Sequence, residues 1–318
     1  MASPISLALS NPDDDKSLVL IANTLRDFVN GIVAAAAAAQ DIDKVIVDEC
    51  QADDPQPSGW QKYLWNCIGK AAMEIPADHP GQDRLVRLLQ ELQRLPRHEV
   101  PEKVGDEIFQ KELWVLTPEN KYDGLEQWLW ELDQGKGPCC IPTASMHELT
   151  RGPKGSFTGT QQVESSEAAA TSYVNFSAFL ARLLHSEVVE ATRLCALIRP
   201  SPFATGNPLT STAYPDASEA AQHYEPWAVA AGQWILHAAE VLYEMGEKET
   251  LTEIGRQKWT PALWNGWKSR FAAVANAEEF SSKAREVASK ALEKMAEVER
   301  EGVTTNVVDT FGFISLKE

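Results

Sequence analysis

Positive charge is scarce in this sequence. Its 318 residues carry 29 Lys and Arg against 46 Asp and Glu, which leaves a formal net charge of −17 with histidine neutral. Binding to a nucleic-acid backbone depends on clustered basic side chains, and the sequence shows no such cluster. We therefore expect no nucleic acid among the partners of this protein.

Long apolar runs and cysteine frameworks are also missing. No uninterrupted apolar run reaches the ~20 residues that a bilayer-spanning helix needs, and the first residues lack the basic stretch and apolar segment of a secretory signal. The five cysteines are odd in number and show no C-x-x-C spacing, so neither a disulfide framework nor a structural zinc site is indicated. We expect no membrane span, reduced thiols and a cytoplasmic location.

The common enzymatic motifs are absent as well. The sequence contains no G-x-G-x-x-G, no G-x-x-x-x-G-K-[ST], no G-x-S-x-G and no H-E-x-x-H. The usual nucleotide-binding, serine-hydrolase and zinc-protease interpretations therefore have no support from sequence motifs. These motifs therefore do not indicate which reaction, if any, the protein catalyses.

Helical periodicity is what the sequence does have. Apolar residues recur at three- and four-residue spacing over most of the chain, which is typical of amphipathic helices. The pattern predicts helices over Ser17–Gln40, from about Trp60 to Pro76, from Pro80 to Pro96, around Leu113–Leu116 and Leu125–Leu132, over Ala217–Met245 as one helix or two joined near Pro226, from Pro261 onward, and from about Glu278 to Glu301. These segments predict an all-α fold.

Two segments depart from the helical pattern. Residues 134–171 are rich in glycine, proline, serine and threonine and too long for an ordinary connection, which indicates either a lid or a disordered insert. The tail, 302–318, is β-branched and could form a short strand or an arm on a neighbouring subunit, so a homodimer is one alternative. We predict a single domain over 1–318: a large helical bundle (core about 16–301), a long irregular loop and a short extended tail.

Ten tryptophans stand out in this acidic chain. Each can bury ~150–250 Å², so for any single one the simplest interpretation is a place in the core between helices. Collectively they could instead line an apolar cavity, where their π faces would stabilise a cation.

Three polar groups lie beside the apolar stripes. Asn175 and Arg182 are seven residues apart, which puts them on one helix face with Phe179 between them. The Arg182 guanidinium could hold a diphosphate or carboxylate ligand, or simply pair with a carboxylate of the protein. Asp83, in the first turn of a helix, could pair with Arg87 or bind a metal. Lys268 could reach an anion across a cavity or extend to solvent.

These landmarks, in this order, resemble the fungal OpdG-like family, an ascomycete group of all-helical proteins first described as a domain of unknown function. The resemblance rests on five stretches: His79-Pro-Gly-Gln-Asp-Arg-Leu-Val-Arg-Leu-Leu, Asn175-Phe-Ser-Ala-Phe-Leu-Ala-Arg, Ala230-Ala-Gly-Gln-Trp-Ile-Leu, Trp264-Asn-Gly-Trp-Lys and the helix that ends near Met295. One branch of that family is similar to atypical sesquiterpene cyclases of tropolone-sesquiterpenoid pathways. Those enzymes convert farnesyl diphosphate into humulene with magnesium and a lysine on a late helix.

The resemblance implies roles for individual residues. It makes Lys268 the catalytic lysine and Trp264 a wall residue of the substrate site. With them we assign Arg182, Trp234, Phe179 and Trp267 to substrate binding. The aspartate-rich D-D-x-x-D and the N-D-x-x-S-x-x-x-E elements of ordinary class I cyclases are absent. Ligands for Mg²⁺ would therefore be dispersed, and Asp83 and Asn175 are our candidates.

The leading hypothesis is thus a class I-like terpene cyclase, a lyase that ionises and cyclises a prenyl diphosphate, expected to be farnesyl diphosphate, with Mg²⁺. One alternative is a helical interaction protein in which the tryptophans only build the core. Another is a metal-free cyclase or isomerase of a fungal secondary-metabolite pathway.

Overall fold

The computed structural model describes residues 3–51, 55–134, 166–199, 201–206, 216–252 and 257–302. This part of the chain is mainly helical and contains one small antiparallel sheet. Its elements are α1 Lys16–Val29, α2 Ala35–Glu49, α3 Pro57–Glu74, α4 Gly81–Arg94, β1 Glu99–Val104, β2 Glu107–Glu112, α5 Leu125–Gln134, α6 Ser166–His185, α7 Pro202–Thr205, α8 Ala217–Glu247, α9 Pro261–Asn276 and α10 Ser282–Glu301. The predicted all-α fold class is confirmed.

The central element is α8, which packs on α6, α9 and α10. The first four helices form a group of their own, in which α2 lies on α4 and α1 on α2 and α3. Contacts of α3 and α4 with α6 join this group to α8. One continuous apolar cluster runs through both groups, from Leu7 to Val298.

The predicted long helix over Ser17–Gln40 is wrong, because α1 and α2 are separate helices. Gly31 adopts a φ of +76°, a left-handed conformation that glycine tolerates and that commonly ends a helix. The amide of Gly31 donates to the Phe28 carbonyl and that of Ile32 to the Asp27 carbonyl, both at 2.9 Å. These two bonds satisfy the last carbonyls of α1 and turn the chain into α2.

The hairpin β1–β2 was not predicted, and the short helix around Leu113–Leu116 was predicted wrongly. The hairpin pairs Glu99 with Glu112 and Val104 with Glu107 across a turn that contains Gly105 at a φ of +65°. After it, Trp114 has a φ of +61° and the chain is irregular. These segments are short, so local apolar spacing does not distinguish their states.

The later helices follow the predictions closely. α8 continues through Pro226 as one helix, although Ala238 departs from helical geometry at φ −141° and ψ 19°. α6 begins at Ser166, inside the segment predicted to be irregular, while the rest of that segment, 135–165, and the tail from 303 lie outside the described residues. None of the described helices is both long enough and apolar enough to cross a membrane.

Candidate functional site

Two residues predicted from distant stretches of the sequence meet on one surface. Nε of Arg182, on α6, donates to Oδ1 of Asp83, on α4, over 2.7 Å. The other guanidinium nitrogens donate to the carbonyls of Ala178 at 3.0 Å and Ala77 at 2.9 Å. These bonds use three of the five N–H groups of Arg182. Burial lowers the pKa of Arg182, and the neighbouring Asp83 opposes that shift.

The local sequence explains why α4 begins at this place. The side-chain amide of Gln82, which is fully buried, donates to the carbonyls of Ala72 at 3.0 Å and Ile75 at 2.7 Å. Its third acceptor is the carbonyl of Asn175 on α6, at 3.3 Å. Because these bonds satisfy free carbonyls near the end of α3, they fix the turn that presents Asp83 to Arg182.

Asn175 belongs to the same structural network. Its side-chain amide donates to the Met73 carbonyl over 2.9 Å, and the residue is 5% exposed. Asn175 thus ties α6 to the end of α3. It does not lie in the wall of the cleft described next, so the structure does not bring the two predicted metal ligands, Asp83 and Asn175, together there.

Asp83 and Arg182 form part of the wall of a cleft of about 540 Å³ between α4, α6, α8 and α10. Polar and apolar atoms contribute about equally to the wall. The lining residues are Asp83, Val86, Arg87, Gln90, Arg182, His185, Ser186, Leu236, His237, Glu240 and Lys294. We call this the Arg182 cleft.

The Arg182 cleft is richer in positive charge than the molecule around it. Three cations, Arg87, Arg182 and Lys294, line the cleft together with two carboxylates, Asp83 and Glu240, in a chain whose net charge is −17. Arg87 also pairs with Glu91, which lies outside the lining, at 2.8 Å. Lys294 pairs with Glu240 at 2.6 Å. A concave site with a cationic excess attracts anionic ligands, and the acidic surface elsewhere would repel them.

His237 is a half-buried titratable group of the Arg182 cleft. Burial and the positive charges of Arg182 and His185 lower its pKa to about 4, against the opposing influence of Asp83. The imidazole is therefore neutral at pH 7 and can accept a hydrogen bond as well as donate one. It lies next to Ala238, where α8 departs from helical geometry; interruptions of this kind often mark functional sites in helices.

Lys268 lies elsewhere, on the surface between α9 and α10. Its Nζ is 2.8 Å from both carboxylate oxygens of Glu299, and Nε1 of Trp264 donates to the same carboxylate over 2.8 Å. Burial raises the pKa of Glu299, but the bonds from Lys268 and Trp264 outweigh it and the net shift is downward. Lys268 is thus paired within the protein, and it is not part of the Arg182 cleft.

The predicted aromatic residues are packed into the core. Trp234 and Phe179 are fully buried, and Trp267 is 1% exposed. Nε1 of Trp267 donates to the Leu197 carbonyl over 3.1 Å. Trp264 is 3% exposed and packs edge-on against Tyr243 and Trp267, with ring centroids 5.1 and 6.2 Å away. None of these four side chains lines the Arg182 cleft.

The same residues bear on whether the protein holds a metal ion. Within the described ranges, no group of three or more His, Cys, Asp or Glu side chains could hold a metal ion. Asp83 offers a 71% exposed carboxylate, but one of its oxygens already accepts from Arg182. The described residues therefore form no dedicated magnesium cage, and an ion here would need most of its ligands from water and substrate phosphate.

Most residues of the cleft wall were not predicted from the sequence. His185, His237, Glu240 and Lys294 were not chosen because none belongs to a spaced motif. The spacing of charged residues does carry some information. Asp83 and Arg87 share one helix face, and Arg182 and His185 share another. Two such charged faces indicate a polar cleft if the two helices pack against each other. Which helices meet is set by tertiary packing.

The fold and the cleft together define an all-α protein with a cationic cleft between four helices. The chain belongs to a family described as a protein of unknown function (DUF3632), whose model matches residues 65–271. That range contains Asp83, Arg182 and His237 and ends before Lys294 on α10. No curated protein and no solved structure matches the chain.

Proposed function

We propose that this protein binds a small phosphorylated molecule in the Arg182 cleft, with a diphosphate as the anionic group. The observation that supports the proposal is the meeting of Asp83 and Arg182 in a cleft with cationic excess. An anion there would contact the remaining N–H groups of Arg182 together with Arg87 and Lys294. Guanidinium groups suit phosphate because their planar fork forms two parallel hydrogen bonds.

The reaction we propose for such a ligand is the cyclisation of a prenyl diphosphate, in particular farnesyl diphosphate to a sesquiterpene such as humulene. This part of the proposal rests on the resemblance to the fungal OpdG-like family. The cleft supplies the anion-binding half of that chemistry. Val86 and Leu236 are the apolar residues of its wall, so the prenyl chain would need apolar surface beyond them. The role of Lys268 and the need for Mg²⁺ are separate parts of the proposal.

Binding is tested by calorimetric titration of the purified protein with inorganic pyrophosphate. Arg87 and Arg94 form a matched pair on α4: both contact Glu91, at 2.8 and 2.7 Å, and their side chains are 54% and 56% exposed. Only Arg87 lines the cleft. We expect Arg87→Gln to weaken pyrophosphate binding about tenfold, the value of one charge-assisted hydrogen bond. Arg94→Gln should bind as the natural protein does. Equal losses in both variants, or no binding, would contradict the proposal.

Turnover is tested by incubation with farnesyl diphosphate, with and without Mg²⁺, and analysis of volatile products. A cyclic hydrocarbon formed only with the ion supports the magnesium-dependent reaction, and one formed in both arms supports a metal-free cyclase. No hydrocarbon from farnesyl, geranyl or geranylgeranyl diphosphate removes the cyclase proposal but leaves the binding proposal to the titration. Normal turnover by a folded Lys268→Ala variant would remove only the role of Lys268.

The second candidate function is that of a non-enzymatic helical interaction protein. Two observations favour it: the predicted wall residues Trp234, Trp267 and Phe179 are core residues, and Lys268 is neutralised by Glu299. This candidate would be favoured over the cyclase if the protein turns over none of the three prenyl diphosphates and does not bind pyrophosphate.

A further inference from the structure

A second cleft, of about 310 Å³, lies between α3 and α5, on the side of β2. α3 contributes Ser58, Gln61, Lys62 and Trp65, and α5 contributes Gln127, Trp128 and Glu131, with Gly124 in the turn before it. The α3 residues have the spacing i, i+3, i+4, i+7 and the α5 residues the spacing i, i+1, i+4, which places each set on a single helix face. Two polar helix faces therefore oppose each other. We call this the Trp128 cleft.

The turn beside the Trp128 cleft has an uncommon backbone. Lys121, Tyr122, Asp123 and Gly124 have φ values of +49°, +54°, +54° and +81°. For residues other than glycine, the left-handed conformation costs about 1–2 kcal/mol each. A conformation of this cost persists only where the surrounding structure determines it, and such places cluster at binding sites.

The walls of the cleft hold this turn in place. The Asp123 carboxylate accepts from the side-chain amide of Gln61 and pairs with Nζ of Lys111 at 3.1 Å. The Asp123 carbonyl accepts from Nε1 of Trp65 over 3.2 Å. Nζ of Lys111 also donates to the Ser58 hydroxyl over 2.8 Å. Three side chains thus hold Asp123 in place and Ser58 holds one of them, Lys111, so this side of the cleft is preformed.

Two buried polar atoms of cleft residues have no hydrogen-bond partner within the described part of the chain. They are the acceptor Oε1 of Gln61 and the donor Nε1 of Trp128. Gln61 is 1% exposed, and a buried polar group without a partner costs about 1–3 kcal/mol. One unsatisfied acceptor and one unsatisfied donor match a group that both donates and accepts, and a hydroxyl does so.

The charges of the cleft balance. Lys62 and Lys111 face Asp123 and Glu131. Lys111 is paired with Asp123, and the ammonium of Lys62 lies 5.3 Å from the centroid of the Trp128 ring. Glu131 accepts from the Gln127 amide over 3.0 Å. In contrast to the Arg182 cleft, this cleft has no excess of either sign with which to select a charged ligand.

From these contacts we infer that the Trp128 cleft binds a small neutral polyhydroxylated molecule, of the size and class of a monosaccharide or a polyol. Oε1 of Gln61 and Nε1 of Trp128 are each less than 1 Å² exposed in the free protein, and hydroxyl groups of the ligand satisfy them when the two side chains turn toward the cleft. The amides of Gln61, Asn120 and Gln127 provide the polar wall, and the indole of Trp128 provides the apolar surface. Cavities near 300 Å³ are at the small end of ligand sites, which fits a ligand of this size. The inference does not depend on the function proposed for the Arg182 cleft.

The test is ligand-observed NMR and calorimetric titration with D-glucose, D-galactose, D-mannose and mannitol, with glycine and pyrophosphate as charged probes. Trp128→Phe removes the indole N–H and keeps an aromatic ring. Trp130→Phe is the matched control on the same helix, since Trp130 lies under Arg193, 4.6 Å from the ring centroid, and not in the cleft. We expect at least one of the four neutral ligands to bind, and its affinity to fall about tenfold in Trp128→Phe and to be unchanged in Trp130→Phe.

Three results would overturn the inference: no binding by any of the four neutral probes, equal binding by both variants, or preference for a charged probe. Absence of binding would mean that the two atoms stay closed to ligands in the cleft. Should Trp128→Phe fail to fold, Gln127→Ala, an exposed position, replaces it with the same expected loss. Pyrophosphate should not compete with the neutral ligand, because it belongs to the other cleft; this separates the two proposals.

Discussion

His237 is a residue at which burial and neighbouring positive charge act on a pKa in the same direction. Its pKa falls from an ordinary 6.5 to about 4. Between these two values the unfolded chain takes up a proton that the folded chain does not. The free energy of unfolding therefore decreases as the pH falls through this window, by about 2 kcal/mol at about pH 5.

We predict that His237→Gln removes this acid sensitivity. Glutamine is neutral at all of these pH values, so the variant should lose about 2 kcal/mol less stability than the natural protein between about pH 7 and pH 5. Urea unfolding at both pH values measures the difference. His185→Gln, an exposed histidine of the same cleft, is the control; it removes only the smallest of the influences on the pKa of His237 and should leave most of the loss in place. An unchanged loss in His237→Gln would show that the imidazole is protonated in the folded protein.

The role of a single residue could be predicted from the sequence where one helix face or one motif contains the residues that decide it. Arg182 was expected to hold either a ligand anion or a carboxylate of the protein, and it contacts Asp83 at the edge of a cleft. For Lys268 the deciding partner is Glu299, 31 residues further along the chain on another helix. Nothing local to Lys268 indicates that pairing, since it follows from how α9 packs on α10.

At the level of elements, the sequence predicted the long helices well and the short segments poorly. α3, α4, α9 and α10 have apolar stripes that repeat over several turns, and each was placed within a few residues. The hairpin β1–β2 has only one buried apolar residue, Val100, and exposes Val104, Ile108 and Phe109. A strand pair that buries so little lacks the alternation from which strands are recognised.

Gly232 sets the approach of α8 to α10. A Cβ at this position would lie 2.5 Å from Cγ1 of Val287, whose branched side chain has little rotational freedom. We predict that Gly232→Ala destabilises the protein by about 1–3 kcal/mol, because the overpacking outweighs the gain in helix propensity. The midpoint of urea unfolding measures the change.

Gly266 on α9 is the matched control for this prediction. The nearest atom to a Cβ there is Nη1 of Arg270, at 4.0 Å. With space available, Gly266→Ala should stabilise the protein by about 0.5–1 kcal/mol through helix propensity alone. Opposite signs for the two glycines are the expected outcome. If both variants gain stability, α8 and α10 are not packed as closely as the structure has them.

For the whole molecule, helical periodicity predicted the class but not the arrangement. The central position of α8 and the connection of the two helix groups through α3, α4 and α6 depend on contacts between distant parts of the chain. The sequence gives the apolar faces that must be covered and leaves open which faces cover each other. The Arg182 cleft arises from that arrangement, so its residues could be predicted only where a motif happened to contain them.

If the chain forms the single domain that the sequence predicts, its helices should unfold together. The apolar cluster runs without interruption from Leu7 to Val298, and Gln82 connects α3, α4 and α6 at its centre. Gln82→Leu would leave the carbonyls of Ala72 and Ile75 without this donor and should cost about 1–3 kcal/mol. Because the two helix groups share one core, that loss should lower the stability of both together.

We therefore predict one cooperative transition for the natural protein and for Gln82→Leu, shifted to lower urea concentration in the variant. Far-ultraviolet circular dichroism reports all helices and tryptophan fluorescence reports both groups, so the two curves should coincide. Gln90→Leu, a less buried glutamine on the same helix, is the control and should shift the midpoint much less. Two separate transitions, with only the earlier one moved by Gln82→Leu, would show that the first four helices unfold as an independent domain.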